Sequence, residues 1–141
     1  MAEILHDLPI NADLEMVFNA ISIPHQLENW WPRHCQGETH VGGTYHFYFT
    51  DEYDWYGKVT EWNPNKSFEI TMTIADHDWL DTAFGFTLSP ANGGTRLTFY
   101  HKNWKEANSH FRHTSFCWAM LLKGLKDYLE QGKVIPFELR S

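Results

Sequence analysis

From Gly42 to about His101 the apolar residues of this chain recur at every second position, whereas in the N-terminal stretch before it they recur about every fourth. A period-two run of that length far exceeds one strand, so it must fold back on itself several times. In GTYHFYFT the side chains of Tyr45, Phe47 and Phe49 share one face, and His46, Tyr48 and Thr50 the other. YDWYGKVTEWNP sets Trp55, Gly57, Val59 and Glu61 against Tyr56, Lys58, Thr60 and Trp62, and ends in an Asn-Pro-Asn turn. Phe68, Ile70, Met72 and Ile74 mark a further strand; Phe84, Phe86 and Leu88 mark another beyond the polar connection ADHDWLD. Asn92-Gly93-Gly94 reads as a hairpin turn leading into a last strand with Leu97, Phe99 and His101 on one face. The pattern predicts an antiparallel meander.

The flanks carry the other period. Glu3 to Leu8 alternate weakly and predict a short edge strand closed by Pro9. Asn11 or Asp13 can cap a helix with Leu14, Val17, Phe18 and Ile21 on its apolar side, and Pro24 opens a second short helix through Trp30. A long helix is expected from about His110 to Gln131, stopped by Gly132. At ~100° per residue, Phe111, Thr114, Trp118, Leu121, Leu122, Leu125 and Leu129 fall in one stripe. That stripe must be covered, and one face of the sheet is the apolar surface left to cover it. The expected class is α+β: a curved antiparallel sheet wrapped around a long C-terminal helix, with two short helices after the first strand.

At 141 residues, with neither an internal repeat nor a linker rich in Pro, Gly or Ser, residues 1–141 are expected to form a single domain. Ten Phe, seven Trp and six Tyr imply a core of large rigid rings, which pack with gaps that a small guest can occupy. A formal charge of −7 is the wrong sign for a partner of nucleic acid. Two cysteines, Cys35 and Cys117, without a basic and apolar leader point to the reducing cytoplasm rather than to a disulfide framework. The apolar runs are too short for the ~20 residues that cross a bilayer, so no membrane role is expected.

Six phrases stand in order along nearly the whole chain: VFNAI in an amphipathic helix, HQLENWWP, VGGTYHF, GKVTEWNPNKSFEI, FTLSPANGGTRLTFYH, and CWAMLLKGLKDYLEQGKVIP in the last helix. Together they resemble the Hsp90 ATPase activator homologue 1-like branch of the START-like superfamily, also called SRPBCC or Bet v 1-like. The resemblance implies the order β-α-α-β-β-β-β-β-β-α, a helix-grip fold, and an elongated pocket between sheet and last helix. It also implies an apolar guest, since members bind lipids, sterols or polyketides, and some catalyse cyclisation or dehydration. The eukaryotic activator that names the branch carries a separate N-terminal domain for which 141 residues leave no room, so the name alone does not bring chaperone activation with it.

The residues offer no standard catalytic constellation: GxSxG, HExxH and phosphate-cradling glycine loops are absent from the sequence. His101, in phase with Leu97 and Phe99, is the candidate acid or base; Glu61, in phase with Val59, is read as a strand-end residue reaching solvent. His110 and His113 are three apart on the helix, without a nearby third ligand, and read as surface polar residues, so no metal or cofactor is expected. Cys35 reads as an ordinary loop thiol and Cys117 as a packing residue. Tyr45 and Trp55 can offer a hydroxyl and an indole N–H to a guest, or be core rings with polar tips at the rim.

The pocket is expected to be lined by Trp30, Trp31, Tyr45, Phe47, Trp55, Phe84, Phe86, Phe99, His101, Phe111, Thr114 and Trp118. Adjacent helical residues point ~100° apart, so of Trp30 and Trp31 one should anchor the short helix and the other turn to the mouth of the cavity. Phe116 and Met120 fall opposite Trp118, exposed, as a possible dimer or partner contact. Binding of a small hydrophobic or aromatic ligand is the first reading. A protein-interaction role, such as Hsp90 co-chaperone-like ATPase stimulation, is the second, and a cyclase or hydrolase using the same pocket the third.

Overall fold

The computed structural model describes residues 1–140. Its elements are β1 (Ala2–Ile10), α1 (Leu14–Ser22), α2 (Pro24–Leu27), β2 (His34–Gly37), β3 (Thr44–Tyr48), β4 (Asp54–Asn63), β5 (Ser67–Ile74), β6 (Ala83–Ala91), β7 (Gly94–Trp104) and α3 (Ser109–Gln131), followed by a 3-10 turn at Phe137–Leu139. The seven strands form one antiparallel sheet in the order β1-β7-β6-β5-β4-β3-β2, curved around α3. This is the helix-grip α+β architecture, in the element order that the resemblance implies.

Several local expectations are corrected. β1 is an edge strand, but it runs through Pro9 to Ile10, with Pro9 opposite Arg96; on an edge a missing N–H can face away from the ladder. α2 ends at Leu27, short of Trp30. Pro32 disfavours helical geometry in the residue before it, and the N–H groups of Trp30 and Trp31 both turn back to the Leu27 carbonyl, at 3.2 and 2.9 Å. β2 was not visible because only Cys35 of its four residues faces inward, which leaves no alternation to detect. Cys35 is therefore a buried strand residue opposite Phe47, not a loop thiol. In β4 a bulge between Val59 and Glu61 reverses the phase. Trp62 takes the core side, 5.2 Å from the Phe18 ring and 5.5 Å from Phe68, and Glu61 lies opposite Glu69.

The side chain of Asp13 caps α1, accepting from the Met16 N–H at 2.8 Å, and Asn108 caps α3 in the same way through Phe111. Gly132 ends α3 in the left-handed region, φ 68°. The buried stripe of α3 is Thr114, Trp118, Leu121, Leu122 and Leu125, and it rests on rings from β6 and β7. Each fully buried ring contributes about 1.5–3 kcal/mol relative to exposure, so these contacts hold the helix on the sheet before they serve any guest. No helix among the described residues is long and apolar enough to cross a membrane.

Candidate functional site

A cleft of about 510 Å³ opens between one end of the sheet and the N-terminal half of α3. Trp31 from the turn after α2, Phe49 and Tyr53 from the β3–β4 loop, Trp55 from β4, and Asp76 and Trp79 from the β5–β6 connection form one side. The helix supplies His110, His113, Thr114, Cys117, Trp118 and Leu121, and the chain beyond it Phe137, Glu138 and Arg140. Five of these rings close a circuit. Ring centroids are 5.6 Å apart for Trp31–Phe49, 5.5 Å for Phe49–Trp55, 4.9 Å for Trp55–Trp79, 6.0 Å for Trp79–Trp118 and 4.9 Å for Trp118–Trp31.

The Trp118 indole is oriented by a buried polar relay. Its N–H donates to Nδ1 of His101 at 3.1 Å, so that nitrogen carries no proton. Nε2 of His101 lies 2.8 Å from the Thr82 hydroxyl, which itself donates to the Trp79 carbonyl at 2.6 Å and must therefore accept from the imidazole. His101 is thus neutral, with its proton on Nε2, and burial pulls its pKa down to about 3, the His110 charge adding to the effect. Both nitrogens are occupied and the side chain has no exposed surface.

On the cleft's rim, His110 Nδ1 lies 2.9 Å from an Asp78 oxygen, and that hydrogen bond holds the Asp78 carboxyl below the usual range. His113 Nε2 lies 3.4 Å from Cys117 Sγ. Among the described residues, no three His, Cys, Asp or Glu side chains come together as a metal site requires. The far end is closed by the segment after Gly132. Arg33 donates to Glu138 at 3.0 Å and stacks 4.5 Å over the Phe137 ring. Arg140 donates to the carbonyls of Ile135, Trp31 and Pro32 at 2.8, 3.3 and 3.2 Å.

Residues 11–130 match the family described as activator of Hsp90 ATPase homolog 1-like protein. The chain belongs to that family. Among solved structures, the Aha1 dimer from Colwellia psychrerythraea is 32% identical at a TM-score of 0.86, over 94% of this chain and 99% of that one. A protein from Mesorhizobium loti has 20% identity and a TM-score of 0.82, covering 94% of this chain and all of its own, 100%. One from Staphylococcus saprophyticus has 18% and 0.80, over 95% of this chain and 96% of that one. These last two speak for the fold alone. No curated protein matches.

Within this Hsp90-activator-like frame, Trp31, Trp55, Thr114 and Trp118 line the cleft. The other expected pocket residues do not. Trp30 is buried beside α1, its indole N–H donating to the Ala20 carbonyl at 2.9 Å, and stacks 6.3 Å from Trp31. Tyr45 is wholly buried, and its hydroxyl donates to the Ser22 carbonyl at 2.5 Å. Phe47, Phe84, Phe86, Phe99 and His101 form the packed layer beneath, and Phe111 lies against Trp104 at 5.3 Å. The rings therefore fill the middle of the grip, leaving open only the end beyond Trp118. Phe116 and Met120 are 62% and 44% exposed on the opposite side of α3.

His110, His113, Cys117 and Leu121 also face the cleft, and sequence reasoning gave none of them a place in it. Their spacing of three and four around Thr114 and Trp118 carried the signal, since it continues the same stripe toward one edge. Trp79 and the C-terminal turn carried none: each is a non-periodic segment positioned by contacts distant in sequence.

Proposed function

We propose that one domain formed by residues 1–141 binds a small hydrophobic or aromatic molecule in the cleft between the sheet and α3. The observation that carries the reading is the closed circuit of five rings facing a cleft of about 510 Å³, within the range of small-molecule sites. Two free thiols support a cytoplasmic location, where they would persist reduced. Native mass spectrometry of protein purified from its own host should reveal a co-purifying small molecule. A neutral dye, N-phenyl-1-naphthylamine, should bind the emptied protein and be blocked by Cys117→Trp, which fills the cleft. Dye binding that is indifferent to that substitution would refute the placement.

A protein-contact reading has its own support in Phe116 and Met120, exposed four apart on α3, and in the dimeric state of the Colwellia Aha1. On that reading the wild type is a dimer by light scattering and Phe116→Asp a monomer; a monomeric wild type ends the dimer idea. Stimulation of the matching Hsp90's ATP hydrolysis is the corresponding test of a chaperone partner, and an unchanged rate removes it. His101, with both nitrogens engaged inside the fold, gives no ground for preferring catalysis.

A further inference from the structure

The ring circuit constrains the charge of the guest as well as its polarity. Its five edges average about 5.4 Å, and a flat five-sided circuit of that size puts a central guest about 4.6 Å from every ring centroid, inside the ~6 Å reach of a cation–π contact. Successive ring planes are inclined by 26° to 67°, as a wall must be if it curves round a guest rather than lying flat. Four of the five rings are indoles, the most favourable partners for a cation.

The charges around the circuit have the matching sign. Asp76 and Glu138 line the cleft; among the described residues the Asp76 carboxylate has no hydrogen bond or ion pair, while Glu138 is taken by Arg33. Of the cationic groups on the wall, His110 is paired with Asp78 at 2.9 Å, and Arg140 spends three donor contacts on backbone carbonyls, whose dipoles offset part of its charge. At the mouth, Phe137 already holds the Arg33 guanidinium over its face. The chain as a whole carries −7, a field that draws cations and repels anions.

We propose that the circuit of Trp31, Phe49, Trp55, Trp79 and Trp118 receives a quaternary or N-methylated ammonium group, with Asp76 at the rim as its counter-charge. This rests on the cleft being a ligand site, and narrows that ligand to a methylated cation on an apolar body. Methyl groups suit such a wall: they spread the charge over an apolar surface and remove the N–H donors that ring walls cannot satisfy.

The test compares isosteres that differ only in charge. Choline against 3,3-dimethyl-1-butanol, and phenyltrimethylammonium against tert-butylbenzene, are titrated by calorimetry and by the indole N–H resonances. The cation should bind roughly tenfold more tightly than its neutral twin. Trp55→Leu should abolish the preference, Trp55→Phe keep part of it, and Asp76→Asn weaken only the cations by roughly threefold. Thermal melts of each variant establish that it is folded. Neutral twins that bind as tightly as the cations, or a preference unmoved by Trp55→Leu and Asp76→Asn, would overturn the inference. If N-phenyl-1-naphthylamine binds and no cation does, the inference falls while the cleft reading stands; if nothing binds, both fall.

Discussion

The buried relay through His101 predicts a one-proton signature in stability. In the unfolded chain a histidine titrates near its ordinary ~6.5, whereas in the fold burial pulls His101 to about 3. Between those values the unfolded state binds a proton that the native state refuses. Stability contributed by neutral His101 is therefore fully present above pH ~6.5 and lost progressively as the pH falls toward 3. The slope approaches roughly 1.4 kcal/mol per pH unit below pH ~6, so lowering the pH from 6.5 to 4.5 should cost about 2 kcal/mol from this group, a large share of the roughly 5–15 kcal/mol typical of a domain. His101→Gln removes the titration while keeping a polar side chain for Trp118 and Thr82. It should start about 1–3 kcal/mol less stable at pH 7.5, because its amide cannot reproduce both hydrogen bonds. Urea unfolding followed by tryptophan fluorescence at half-unit steps then compares the two proteins, and the carboxylates they share cancel in the difference. The wild-type advantage should shrink steadily below pH 6.5. Parallel stability curves over that range would refute the neutral, buried imidazole. Imidazole nitrogen resonances give an independent check: the Nε2–H tautomer, unchanged down to pH 5.

The two thiols should behave oppositely toward a disulfide reagent. Cys117, half-exposed on the cleft wall, reacts in the native protein; Cys35, buried and pushed up to about 12 by desolvation and then by Glu28, reacts only on unfolding. Equal native rates would contradict the strand placement of Cys35. On the outer face of the sheet, Tyr100 lies across Gly85 to donate to Glu69 at 2.5 Å, and a methyl group at position 85 would collide with the Tyr100 ring and hydroxyl. Gly85→Ala should lower stability by roughly 1–3 kcal/mol through that displaced hydrogen bond; an unchanged urea midpoint would show that the close approach is absent. Asp13→Ala, which removes the cap of α1, should cost about 1 kcal/mol in the same assay, and no loss would mean that another group caps the helix.

The architecture was legible in the residues because it depends on periodicity, which burial imposes locally. The alternation from Tyr45 to His101 demanded a sheet, the stripe from Thr114 to Leu125 demanded a long covered helix, and the six ordered phrases resembled one fold family. Exposure of Phe116 and Met120 followed from the same count of 100° per residue. Where one inserted residue resets the phase, as at Thr60, or a strand has four residues and one inward side chain, as at Cys35, the pattern carries no information and the expectation went astray.

The ENWWP segment shows the division most directly. Its spacing determined that two adjacent indoles take different places, and that Pro32 ends the helical geometry. Only the tertiary structure decided that Trp30 is the one hydrogen-bonded to α1 and Trp31 the one facing the cleft. It decided, too, that the expected pocket rings Tyr45, Phe47, Phe86 and Phe99 are packed against one another, and that the open space lies at the other end, walled by Trp79 and Phe137. A sequence records which face each residue shows; which faces meet with atoms to spare is set by side-chain volumes brought together from distant segments, and that sum exists only in the folded chain.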